Sequence, residues 1–230
     1  MIYDSPLFRF FVDRLKRSLI AVCGLAVFGF GIYLQLQANL GLDPWNALNQ
    51  GLAQRFSVSF GTVSVLVSFA VILVDLLLHE SIGLGTLLDA VTVGVCVDIF
   101  TALDLIRLEN GLFGRLLALL SGILCACVGQ FLYMKVGLSC GPRDGFLVAV
   151  GKRVPKVPIG IVNLAIFAVV LVVSIMLDSP IGIGTVVTTF GTGPIMELVF
   201  RVLRFEPRMV QHEGLFGTIT AFQQEWNREM

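Results

Sequence analysis

The chain has 230 residues, 56% of them apolar and only 14% charged, with a mean hydropathy of +0.89 and a formal net charge of zero. So little polar surface cannot solvate a soluble globule of this size, and the bilayer is expected as its solvent. Zero net charge says nothing about partners; those expected are the lipid bilayer and a small-molecule substrate or coupling ion, with no nucleic acid.

Residues 1–17 form a basic amino terminus with Arg9, Arg14, Lys16 and Arg17. The apolar run at 18–37 is too long for the core of a signal peptide. It ends in Leu34-Gln35-Leu36-Gln37 without a small-residue cleavage site, so it reads as an uncleaved span. Stretches at 60–78, 82–103, 112–134, 159–177 and 181–203 are also apolar enough to cross roughly 30 Å of hydrocarbon. A mixed tail at 205–230 carries Phe216, Phe222 and Trp226 among charges and suits either a cytoplasmic interfacial helix or disorder. Six spans with a cytoplasmic start leave thirteen of the sixteen Lys and Arg residues inside. That bias supports placing both termini in the cytoplasm. The five cysteines lie mostly within spans and read as small apolar packing residues.

The chain repeats itself. Gly24, Gly31, Leu40, Pro44 and Arg55 recur 98 residues on as Gly122, Gly129, Leu138, Pro142 and Arg153. Gly61, Ile82, Gly83, Gly85, Thr86 and Gly94 recur 99 residues on as Gly160, Ile181, Gly182, Gly184, Thr185 and Gly193. The repeats are placed at 18–106 and 112–204. Each holds three spans, an odd number, so the second copy enters the membrane from the opposite side to the first.

After the first span of each repeat comes a short segment opened by a proline, a residue suited to the first turn of a helix. From Pro44 to Arg55, or Pro142 to Arg153, about 12 residues of helix reach roughly 18 Å, half the membrane. The expected fold is therefore an all-α polytopic membrane protein: six transmembrane helices as two inverted three-helix repeats, each with a re-entrant half-helix after its first span. An amphipathic helix lying in the interface is the alternative for the first segment, with Asn46, Asn49, Gln50 and Gln54 as its wet face. The second segment is apolar all round from Gly145 to Gly151, which argues for re-entry.

Candidate binding residues gather at the two helix starts: Asp43, Pro44, Trp45 and Asn46 in one copy, Pro142, Arg143 and Asp144 in the other. Helix N-termini present unpaired N–H groups and partial positive charge, although Asp43 and Asp144 also suit plain capping. Intramembrane acids are costly and are candidates for function. Asp98 and Glu197 occupy matched repeat positions, each expected near its own half-helix, with Arg143 as the expected partner of Glu197. Asp89 is the most deeply placed carboxylate and is read as a proton or cation site, or as a plain polar contact. Asp75 and Asp178, near span ends, read as interfacial. The two Ile-Gly-x-Gly-Thr stretches lack the lysine of a phosphate loop and read as sites of close backbone approach. No nucleophile, base or metal-ligand spacing is present, so neither enzyme activity nor a metal or cofactor is expected.

The Gly-Leu-Asp-Pro-Trp-Asn stretch at 41–46, the Gly-Pro-Arg-Asp-Gly stretch at 141–145 and the Ile-Gly-x-Gly-Thr pair resemble the YczE/YitT-like family of bacterial inner-membrane proteins. The likeness spans about 17–204 and implies a polytopic plasma-membrane protein. Some members of that family are associated with antibiotic or secondary-metabolite production. The chain suits two functions. The first is a small-solute transporter or channel-like protein with its site between the half-helices. The second is a non-transporting factor that scaffolds or regulates another protein or a secondary-metabolite pathway.

Overall fold

The computed structural model describes residues 6–106 and 111–206 and, in the tail, residues 214, 217, 220, 222, 223 and 226. Most of the expected tail helix, with Phe216, lies outside the described residues. Among the described residues up to 206, eight helices run in the order α1 (Pro6–Ala38), α2 (Pro44–Phe56), α3 (Phe60–Leu77), α4 (Leu84–Leu103), α5 (Leu112–Met134), α6 (Pro142–Arg153), α7 (Ile159–Met176) and α8 (Ile183–Val202). All but α2 and α6 are long and apolar enough to cross a membrane. Residues 6–17 of the basic amino terminus are part of α1.

The helices α1 and α5 form the central pair. A Cβ on Gly31 would meet the Gly122 carbonyl oxygen at 2.6 Å, and one on Gly24 would meet that of Gly129 at 2.9 Å. Position rises on one helix as it falls on the other, so the two run antiparallel with their backbones in contact. Lipid tails are as apolar as leucine, so close packing at small residues rather than water exclusion brings such helices together. Arg115, in the first turn of α5, donates to the carbonyls of Ala38 and Asn39 at the end of α1, satisfying groups a helix terminus leaves bare. Large apolar side chains elsewhere, such as Phe113, Met176 and Val202, stand exposed as lipid-facing groups.

The two short helices pack across the halves, each also touching the next long helix of its own half. The short helix α2 lies against α7, and α6 lies against α3. Before α2, the Leu40 carbonyl accepts from the Gly184 N–H at 2.7 Å; before α6, the Leu138 carbonyl accepts from the Gly85 N–H at 2.9 Å. A Cβ on Gly184 or Gly85 would sit 2.7 or 3.0 Å from these loops. The two Ile-Gly-x-Gly-Thr stretches are thus the places where each half's loop rests on the other half. Thr86 adds two hydrogen bonds through its hydroxyl, which donates to the Cys140 carbonyl at 2.8 Å and accepts from the Ser139 hydroxyl at 3.0 Å.

Backbone conformations recur with the sequence. Asn39 and Gly137 both have positive φ (47° and 68°), as do Gly41 and Ser139 (105° and 126°) and His79 and Asp178 (60° and 54°). Each pair occupies matched repeat positions, so both loops leave their long helix by the same left-handed turn.

One match fails. The α3–α4 pair is closed: a Cβ on Gly94 would meet the Gly61 carbonyl oxygen at 2.6 Å. Their counterparts on α7 and α8, Gly160 and Gly193, have open space there, and α7 and α8 barely touch.

Candidate functional site

A cavity of about 400 Å³ lies between the starts of the two short helices. Proline opens each helix, and both prolines are fully buried. At the start of α2, Asp43 accepts from the N–H groups of Trp45 and Asn46 at 3.1 and 3.2 Å, so it caps the helix. Its other oxygen accepts from the Asn46 amide. At the start of α6 the equivalent position is Gly141, which has no side chain to cap with.

The space left by Gly141 is filled from α4: a Cβ there would run into the Asp89 carboxylate. Asp89 has Thr188 as its repeat mate, and the Thr188 hydroxyl donates back to the Gly184 carbonyl at 2.8 Å. The place at the start of each short helix is therefore taken by a carboxylate, Asp43 from its own loop in the first half and Asp89 from the opposite half in the second.

The two starts meet. Arg143 and Trp45 are repeat equivalents, and the Arg143 guanidinium lies 5.5 Å from the Trp45 ring centroid, within cation–π range. Arg143 Nη1 also donates to Asn46 Oδ1 at 3.4 Å, and Phe146 packs edge-on against Trp45 with ring centroids 6.4 Å apart. Asp89, Arg143 and Asp144 lie within electrostatic reach of one another.

Of the expected site residues, Asp43, Trp45, Asn46, Asp89, Pro142, Arg143 and Asp144 all line the cavity. Pro44 does not; its carbonyl accepts from the Ser174 hydroxyl of α7 at 3.3 Å. Asp144 sits in the first turn of α6 without a capping bond.

Asp98 and Glu197 lie elsewhere, which corrects the expectation for both. Asp98 accepts from the Gly61 N–H at 2.8 Å and from the Ser59 hydroxyl, and so caps α3 rather than facing α2. Glu197 pairs with Arg201 at 2.8 Å rather than with Arg143, and is 72% exposed. The difference follows from the closure of α3 on α4: only there does an N-terminus lie against the carboxylate. Asp75, near the end of α3, is 2% exposed, with Oδ2 facing Gly145 of α6. Asp178 stands exposed in the turn after α7.

Further polar residues face the cavity that the sequence reading passed over: Gln35, Ser64, Tyr133, Asn163 and Thr188. The first four form two repeat pairs, Gln35 with Tyr133 and Ser64 with Asn163. Thr188, Thr189 and Thr192 of α8 line the cavity and follow Thr185 at helical spacing, a polar stripe along an otherwise apolar span. That stripe and the two mixed pairs were the available signals.

The chain matches, over residues 15–201, the model of a family of unknown function, DUF6198. It is similar to an uncharacterised protein of Haemophilus influenzae, 30% identical over 84% of this chain and 88% of that one. It is also similar to the uncharacterised membrane protein YczE of Bacillus subtilis, 27% identical over 75% of this chain and 80% of the relative, and to YyaS of the same organism, 26% identical over 78% and 90%. No solved structure matches. The likeness to YczE and the six apolar helices together make this a membrane protein.

Proposed function

We propose, for a chain that belongs to the DUF6198 family, the role of a small-solute transporter of the plasma membrane, built as two inverted repeats that expose one central site to each face in turn. The observation that carries this is a cavity between the starts of the two short helices, lined by charged and polar as well as apolar side chains and bounded by one closed helix pair and one open pair. Sites at the interface of inverted repeats, formed by broken helices, are a recurrent transporter arrangement. The likeness to YitT-like proteins rests on the same motifs and belongs to this reading.

Inversion is supported by the antiparallel crossing of α1 and α5. Re-entry is supported by what each short segment touches. Leu138 and Cys140, before α6, rest on the start of α4, while Lys152 and Arg153, at its end, bond Glu80 and the Leu78 carbonyl at the end of α3. Those are the two sides of one turn, so the chain enters and leaves at the same face. In the other half, Leu40 rests on the start of α8, and the Ala47 carbonyl accepts from Ser179 of the α7–α8 turn at 2.9 Å.

With the termini cytoplasmic, as the charge bias favours, the closed end capped by Asp98 faces outward and the gap between α7 and α8 faces the cytoplasm. Closing α7 on α8 through Gly160 and Gly193 while α3 parts from α4 yields the opposite state, because each half already displays what the other becomes. Asp98 then acts as an outer latch.

Labelling Ser64→Cys and Asn163→Cys, repeat equivalents that both line the cavity, tests this in a chain stripped of its other cysteines. Transport by alternation requires a membrane-impermeant thiol reagent to reach these positions from both faces of the membrane. Failure to react from either face indicates a packed scaffold and refutes the reading.

A further inference from the structure

The cavity carries more acid than base. Asp43, Asp89 and Asp144 line it, opposed by Arg143. Asp43 is engaged by the N–H groups of α2 and by Asn46, and Arg143 by the Trp45 face and Asn46. Asp89 and Asp144 have no hydrogen bond and no ion pair within 4 Å among the described residues. Carboxylates drawn out of water without a paired cation are unfavourable.

A separate observation points at the same place. Tyr133 of α5 lines the cavity, is 3% exposed, and its hydroxyl has no partner among the described residues. That hydroxyl lies within electrostatic reach of both Asp89 and Asp144. The Thr189 hydroxyl, also lining the cavity, is likewise without a partner. Buried polar groups are nearly always bonded, so two unbonded hydroxyls facing one cavity mark the place of a missing donor or acceptor. The volume exceeds what a bare inorganic ion fills, and Trp45 and Phe167 supply aromatic walls.

We propose that the cavity binds a small organic cation, an amine or guanidine, whose N–H donors go to Asp89, Asp144 and the Tyr133 oxygen while its apolar body lies against Trp45 and Phe167. The ammonium completes the carboxylates as a charge-assisted hydrogen-bond donor, and the aromatic walls cover its apolar body. An anion of the same shape meets two unpaired carboxylates and is repelled. This assignment rests on the transport reading only for the route by which the cation arrives.

Trp45 and Trp226 are the two tryptophans of the chain, so intrinsic fluorescence reports on the site. The full chain, purified in detergent, is titrated with phenethylamine, with phenethyl alcohol and 3-phenylpropionate as neutral and anionic counterparts, and with phenylalanine as the zwitterion. The expected result is a saturable change with the amine at least about tenfold tighter than with alcohol or acid, unaltered in Trp226→Phe. Asp89→Asn and Asp144→Asn each weaken it about tenfold or more, and Tyr133→Phe a few-fold. Preference for the acid, binding of the zwitterion alone, no saturation up to about 10 mM, or affinity unchanged in Asp89→Asn and Asp144→Asn overturns the assignment. The ranking of the four probes on the unaltered chain stands even where a variant fails to fold. Thiol labelling from both faces with a preference for acid refutes only the cation site. Amine binding without such labelling refutes only transport.

Discussion

Asp98 and Glu197 show how a residue's role depends on its surroundings more than on its place in a repeat. Both are acidic and occupy matched positions, yet one caps a helix and the other pairs with Arg201 at the surface. Asp98→Asn is expected to cost about 1 kcal/mol, the usual worth of a charged N-terminal cap, measured as a drop in thermal midpoint of the detergent-solubilised protein. Glu197→Gln should fall within about 0.5 kcal/mol, as exposed i,i+4 pairs do. A larger loss from Glu197→Gln than from Asp98→Asn would reverse these assignments. Gly31 carries a separate prediction: Gly31→Leu forces a side chain into the Gly122 backbone, and overpacking of that kind costs about 1–3 kcal/mol. A thermal midpoint no lower than that of the unaltered chain would contradict the close crossing. Sequence alone identified these glycines and acids as special but could not separate the acids, because the closure that distinguishes them is a tertiary event.

Two kinds of element were legible to different degrees. Both short helices begin at the expected prolines, because proline at the first turn leaves a signature any reader can find. Their partners were not legible, since nothing in a linear pattern says that α2 rests on the hairpin of the other half. The Ile-Gly-x-Gly-Thr stretches marked that contact as close backbone approach without naming the loop approached. Thr86→Val tests the contact at this scale: it removes the hydroxyl that Ser139 and the Cys140 carbonyl engage and should cost about 1–2 kcal/mol. Hydrogen exchange should quicken at 138–145, where the loop leads into α6, and remain unchanged around α2. Unchanged exchange at 138–145 would mean that the loop is held by something other than Thr86. The cavity's polar lining was partly hidden for a related reason: single hydroxyl and amide residues on apolar spans acquire meaning only once the helices carrying them face one another.

At the scale of the whole molecule, cysteine substitutions at Gln54 and Lys156, both exposed near the ends of the short helices, should label from opposite faces of the membrane. Labelling from one face would undo the inverted arrangement and the transport reading with it. The crossed packing of α2 on α7 and α6 on α3 also sets an order of events during synthesis. When the first half leaves the ribosome, the α7 surface that helps to cover α2 has not yet been made, and Asn46 and Asn49, both buried in the finished protein, lie on a helix only partly covered by α3. The first half must wait in the membrane as an unfinished object, a natural client for insertion chaperones and quality-control proteases. A chain stopped near residue 110 should therefore be degraded, and supplying the second half as a separate polypeptide should rescue it.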